Sequence, residues 1–138
     1  MESYRHLHHL VSEVRGEVEP GRGAGAITAA LFPGGTITGC PKPSTLHILD
    51  ELEEGARGPY TGSLGYLAAD GRLDLNILIR SALILPNRTL FRTGGGIVWD
   101  SQEPAEYRET LVKARGLAAS LLRGGAKLEP GAEVIFEA

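Results

Sequence analysis

Strict alternation of apolar and polar positions marks one stretch of the chain: Leu73, Leu75, Ile77 and Ile79. A period of two predicts a β-strand with one apolar face. The turn Ala69-Asp70-Gly71 precedes it, and Tyr60, Leu64, Tyr66 and Leu67 lie before that turn. An Asp-Gly turn between two apolar runs predicts an antiparallel hairpin. A third strand is predicted from Thr89 to Val98, after the turn at Pro86-Asn87 and interrupted by Gly94-Gly95-Gly96. Near the start, Leu10, Val11, Val14 and Val18 follow no helical stripe, and Gly16 weakens a helix there. With Pro20-Gly21 closing the segment, residues 8–18 read as a further strand.

Helices are predicted in three places. Residues 25–32 (GAITAALF) form a short run stopped by Pro33. Leu46, Ile48, Leu49 and Leu52 predict a helix over 44–54, with Ser44 placed to cap it. Between these two lies PGGTITGCPKPST, read as a loop. The run from Pro104 to Leu122 is the third helix: Ser101 is placed to cap it, Pro104 suits a first turn, and acids crowd its start, where the helix dipole favours them. The pattern is α+β: an antiparallel sheet of about four or five strands packed with about three helices. Residues 124–138 read as a tail, either loose or carrying a short strand at Glu133–Phe136.

Composition narrows the function classes. The chain has 138 residues, 42% hydrophobic and 22% charged, which fits one domain and excludes a disordered tail. A compact chain of this length buries about 68–70% of its unfolded surface. No apolar run approaches the length of a spanning helix, so no membrane partner is expected. One cysteine excludes a disulfide framework or a multi-thiolate metal site, and points to a reducing, cytoplasmic setting. A net charge of -3 supplies no positive field for nucleic acid. Nineteen residues are glycine, about twice the usual share, so the backbone is expected to approach other groups closely in several places.

Glu106, Glu109 and Lys113 stand at i, i+3 and i+7 and share a face of the last predicted helix. Two parallel carboxylates suit a hard cation such as Mg²⁺, while a solvated face laced by a Glu109–Lys113 pair explains the same spacing. Gly94-Gly95-Gly96 is either a bend at a sheet edge or a run of backbone N–H groups open to an anion. Arg80 follows the alternating strand, on the face opposite Ile79. It is either an exposed edge charge or a fork for a carboxylate. His6, His8 and His9 do not make up a zinc site, and a single histidine moving a proton is the better functional reading. His47 reads as structural, and Cys40 as a small buried hydrophobe.

The blocks HHLVSEVRGEV, FPGGTITGCPKPSTLHILDELE, RGPYTGSLGYLAADGRLDLNILIR and RTGGGIVWDSQEPAEYRETLVKA, in this order and spacing, resemble the C-terminal part of chorismate-utilising enzymes. That family includes component I of aminodeoxychorismate synthase and of anthranilate synthase. The resemblance covers residues 2–122, and PGGTITGCPK is most similar to the aminodeoxychorismate branch. It implies a fragment, residues 1–123, of a large α/β sandwich, with 124–138 outside it. It implies chorismate as substrate and Mg²⁺ as cofactor. Glu109 would be a direct ligand of the metal and Glu106 a second. Thr36 and Ile79 would line the substrate site, while Arg80, Lys113 and the amides of Gly94 and Gly96 would clamp the carboxylates. His9, at the HLVS position, would stand by the departing C4 hydroxyl. The upstream lysine-bearing PIKGT-type motif and the upstream acids of the family do not occur in this sequence. The chain alone is therefore expected to be inactive. It would require the N-terminal portion of the synthase and a glutamine amidotransferase component, and would self-associate through exposed sheet edges. A segment of anthranilate synthase, or a non-catalytic oligomerising module, are the competing expectations.

Overall fold

The computed structural model describes residues 1–4, 7–86 and 88–123, with the backbone alone at 4, 7–9 and 123. The tail 124–138, and the strand considered at Glu133–Phe136, lie outside the described residues. The elements run β1 (Glu2–Tyr4), β2 (Leu7–His9), α1 (Ala24–Leu31), α2 (Gly35–Thr38), α3 (Lys42–Leu52), β3 (Ser63–Leu67), β4 (Leu73–Ile77), β5 (Ala82–Leu85), β6 (Arg88–Phe91) and α4 (Glu103–Arg123). The class is α+β, as the pattern predicts.

Among the described residues the strands form three separate antiparallel pairs, β1–β2, β3–β4 and β5–β6, rather than one sheet of four or five. Each pair joins strands that are neighbours in the chain. Alternation fixes which face of a strand is apolar but not which distant strand lies beside it. In β3–β4 the register runs from Ser63 opposite Ile77 to Leu67 opposite Leu73. Its turn is closed by Ala68 N–H to Arg72 O (2.8 Å) and Gly71 N–H to Ala68 O (2.9 Å). Gly71 lies at φ +86°, a conformation that glycine adopts at little cost. At Gly65 a Cβ would stand 1.8 Å from Asp74 O, so the strands approach as closely as they do only because no side chain intervenes.

Three other expectations are corrected. The strand placed over 8–18 reduces to β2, and no regular element follows before α1. Val11, Val14 and Val18 are exposed, for they do not alternate and so offer no single face to a partner. The strand placed over 89–98 ends at Phe91, because the glycine triplet leaves the ladder. Ser44 is no cap: α3 starts at Lys42 after Pro41, with no side-chain cap. The 33–45 loop also contains the single turn α2, with Thr38 buried.

Packing is sparse. Ala114 is the buried apolar residue among those described, with Thr38 and Thr110 as buried polar ones. The chain presents 11780 Å² of accessible surface, against about 6,900 Å² for a compact protein of 14.7 kDa. The burial expected from length is not reached, because helices and hairpins cover each other little. Leu64, Tyr66, Leu67, Leu75, Ile77, Ile84 and Trp99 are all exposed. None of the described helices is long and apolar enough to cross a membrane.

Replacing Gly65 by alanine is expected to destabilise the β3–β4 hairpin by about 1–3 kcal/mol, the range for forcing atoms into filled space. The check is faster amide exchange at Tyr66 and Leu75 than in the parent chain, with α4 unchanged.

Candidate active site

The chemistry gathers where α4 passes the glycine triplet. Helix α4 begins as Gln102 O accepts from the N–H groups of Ala105 (2.8 Å) and Glu106 (3.1 Å). Glu103 and Glu106 lie in its first turn, where the positive end of the dipole favours them. Ser101, expected as its cap, does something else. Its Oγ accepts from Val98 N–H (3.0 Å) and donates to Glu106 Oε1 (2.7 Å). The loop before the helix is thereby tied to a carboxylate on the helix.

Further along the same face, Lys113 Nζ donates to Gly94 O at 3.1 Å and pairs with Glu109 Oε1 at 2.7 Å. Thr93 Oγ1 donates to Thr110 O at 3.4 Å. A Cβ on Gly95 would stand 3.4 Å from Glu106 Oε2, and one on Gly94 would stand 3.1 Å from Tyr60 Oη. The triplet thus lies close both to α4 and to the Tyr60 hydroxyl. Among the described residues, no backbone carbonyl accepts from the N–H groups of Gly94, Gly95 or Gly96, which leaves them available to an anion.

The predicted residues divide into two groups. Glu106, Glu109, Lys113 and Gly94 come together, with Gly96 two residues along the same strand of chain. Thr36 is exposed on α2, and its neighbourhood rests on β4, for a Cβ on Gly34 would stand 3.8 Å from Ile77 Cδ1. Ile79 and Arg80 lie past the end of β4 and are both exposed. Arg80 sits at φ +51°, and Ile79 N–H turns back to Ile77 O (3.0 Å). The alternation that was to set the facing of Arg80 therefore stops before reaching it. Among the described residues its guanidinium makes no hydrogen bond or ion pair. The backbone of His9 pairs with Glu2 across β1–β2, and its side chain is outside the described residues, as is His6. His47 is exposed on α3, and Cys40 is exposed rather than buried. The small sulfur side chain lies over Gly35, where a Cβ would stand 2.7 Å away.

Sequence reasoning passed over Tyr60, Thr110 and the Glu53–Arg57 pair. Tyr60 was read as one apolar position of a strand. The Gly58-Pro59 step just before it is instead a turn signal. Glu53 and Arg57 are four apart, a spacing that by itself signals pairing. Arg57 Nε reaches both oxygens of Glu53 at 2.9 Å.

The electrostatics follow the contacts. The hydrogen bond from Lys113 holds the Glu109 carboxyl below its ordinary value. Arg57, through its hydrogen bond, lowers that of Glu53, and Glu53 in turn raises that of Arg57. Burial pushes the Tyr60 phenol up. Among the described residues no three acids, histidines or cysteines cluster as a ready-made metal cage. Glu106 and Glu109 are two carboxylates on one face. That fits a cation which takes one or two protein oxygens and completes its shell with water and substrate.

An α+β protein with acids, a lysine and open backbone amides along one wall suits a small anionic substrate. The chain belongs to the chorismate binding enzyme family, whose pattern matches residues 1–119. It is 48% identical over 121 residues to anthranilate synthase component 1 3 of Haloarcula marismortui, covering 88% of this chain and 24% of the relative. Aminodeoxychorismate synthase component 1 of Bacillus subtilis is 42% identical over 121 residues, covering 88% and 26%. The corresponding protein of Streptomyces lividans is 42% identical over 127 residues, covering 91% and 27%. The chain spans about a quarter of the length of these curated relatives.

Two titrations check this geometry. Lys113→Met should return the Glu109 carboxyl to the ordinary glutamate range, read by carboxyl-carbon NMR. The Glu53 carboxyl has a lowered pKa, so its pairing with Arg57 stabilises the fold at neutral pH. That contribution should fade only as pH falls below the ordinary glutamate value and through the depressed one. Glu53→Gln should flatten this acid limb in a chemical-denaturation series across pH.

Proposed function

We propose that this chain supplies one wall of the chorismate site of an ammonia-using synthase. The observation that carries the reading is the meeting of Lys113, Glu109 and Gly94 on a chain of the chorismate binding enzyme family. Chorismate carries two carboxylates. The Lys113 ammonium and the free amides of Gly94 and Gly96 offer one of them charge-assisted hydrogen bonds. Glu106 and Glu109 would hold Mg²⁺, which, when bound, neutralises substrate charge and orients the ring. Arg80, with no competing partner among the described residues, is available to the second carboxylate. Thr36 and Ile79 would line the substrate site. A hydroxide is a poor leaving group, so the C4 hydroxyl must take up a proton as its C–O bond breaks and leave as water. His9 is assigned that donation.

The particular reaction we assign is formation of aminodeoxychorismate, by amination at C4 with ammonia from a glutamine amidotransferase component. The motif PGGTITGCPK supports it. A second reading, anthranilate formation, draws support from the higher identity to anthranilate synthases, 48% against 42%. In either case the exposed apolar faces of the hairpins are surface for the rest of a chorismate-binding domain to cover. Area of this size left in water favours association.

The test combines the chain with the remaining portion of such a domain and a glutaminase, then supplies chorismate, glutamine and Mg²⁺. Aminodeoxychorismate as product supports the first reading, anthranilate alone supports the second, and no turnover of chorismate would count against both. Glu109→Gln in that assembly should cut turnover at limiting Mg²⁺ by at least about tenfold, since even outer-shell changes at metal sites cost about 10–100-fold. The chain by itself should be inactive and should self-associate in light scattering. A monomer that binds chorismate tightly unaided would contradict this.

A further inference from the structure

The turn between α3 and β3 carries more hydrogen bonding than a connection requires. Glu53 closes α3, its N–H donating to Leu49 O at 2.9 Å. Its carboxylate takes the forked guanidinium of Arg57, and both side chains are about three-quarters buried. Arg57 Nη1 also donates to Thr61 Oγ1 at 3.2 Å, and Thr61 Oγ1 donates to Tyr60 O at 2.6 Å. Thr61 is held at φ +62°, a left-handed conformation that a β-branched residue keeps only when its surroundings impose it. The end of β4 grips the turn from the other side, through Thr61 N–H to Leu78 O (2.8 Å) and Leu78 N–H to Gly62 O (2.9 Å). Between these two grips stands Tyr60, half-buried, with its hydroxyl against Gly94. Gly94 is also the residue whose carbonyl Lys113 holds.

We infer that the Glu53–Arg57 pair is a positioning device for the candidate site: it locks the 57–62 turn and thereby seats Tyr60 against the glycine triplet. The inference rests on the reading of that triplet as part of the substrate wall. The planar fork is what the geometry needs, because one guanidinium must serve a carboxylate and a hydroxyl at once. A lysine keeps the charge and loses the fork. An ordinary helix-end ion pair would stabilise α3 without affecting what Tyr60 touches.

Site-resolved iodination of the full chain distinguishes the two. The rate at Tyr60 is read against that at the exposed Tyr66, with no substrate present, so the result does not depend on whether chorismate binds. Arg57→Lys and Glu53→Gln should each raise the Tyr60:Tyr66 ratio several-fold. Arg72→Lys, which alters the exposed pair with Asp70, should leave it unchanged. A second readout is the Tyr60 phenol itself, which burial raises and which Arg57, Glu53 and Arg92 face. In Arg57→Lys the local charge is conserved, so a downward shift of its titration in near-ultraviolet absorbance reports entry of water. An unchanged ratio with an unshifted titration overturns the proposal. So does a rise at Tyr66 and Tyr107 that matches the rise at Tyr60, since that reports general loosening rather than release of one ring.

Discussion

The reach of Lys113 from α4 to the carbonyl of Gly94 organises what this chain has of a site. It is a contact across nineteen residues in a molecule whose other ties are mostly local. A cation placed on a backbone carbonyl satisfies that carbonyl and stays charged, so the lysine anchors the triplet without being neutralised. Its second bond, to Glu109, keeps that acid ionised and aligned on the same face. Ser101 and Thr93 add bonds at either end of the same contact. Together they fix the spacing between the acids and the glycine amides, on which any recognition of a small anion there depends.

Outside this contact the fold holds little of its own weight. Among the described residues, three two-stranded pairs leave apolar side chains in water, and a single apolar side chain is buried. Hairpins of two strands are marginal alone. A chain that matches about a quarter of its relatives' length and leaves this much apolar surface exposed is arranged as one part of a larger packing scheme. The candidate site is equally sparse: among the described residues its groups come from α4, the glycine triplet and the 57–62 turn. Fold and chemistry are open in the same sense.

How much was legible from residue order depends on the range of the interaction. The Asp70-Gly71 turn and the alternation after it gave β3–β4 because a hairpin needs only neighbours in sequence. The acids at its start and Pro104 gave α4 for the same reason. The 8–18 strand failed because its apolar residues lack a period, and the facing of Arg80 failed because β4 ends at Ile77, before alternation reaches it. Cys40 was misplaced because burial is decided by what lies above a loop, and a loop's composition does not encode that. Tyr60 and the Glu53–Arg57 pair were overlooked because their importance comes from contacts made at once with α3, β4 and the triplet.

The sequence by itself determined the α+β class, the turns, the last helix and the common face of Glu106, Glu109 and Lys113, since each depends on spacing within a few residues. Only the tertiary structure decided that the described strands stay paired in three separate ribbons, that Lys113 closes on Gly94, and that the Tyr60 hydroxyl stands near the same glycine. The last two depend on segments far apart in the chain coming together. No local period specifies such a meeting.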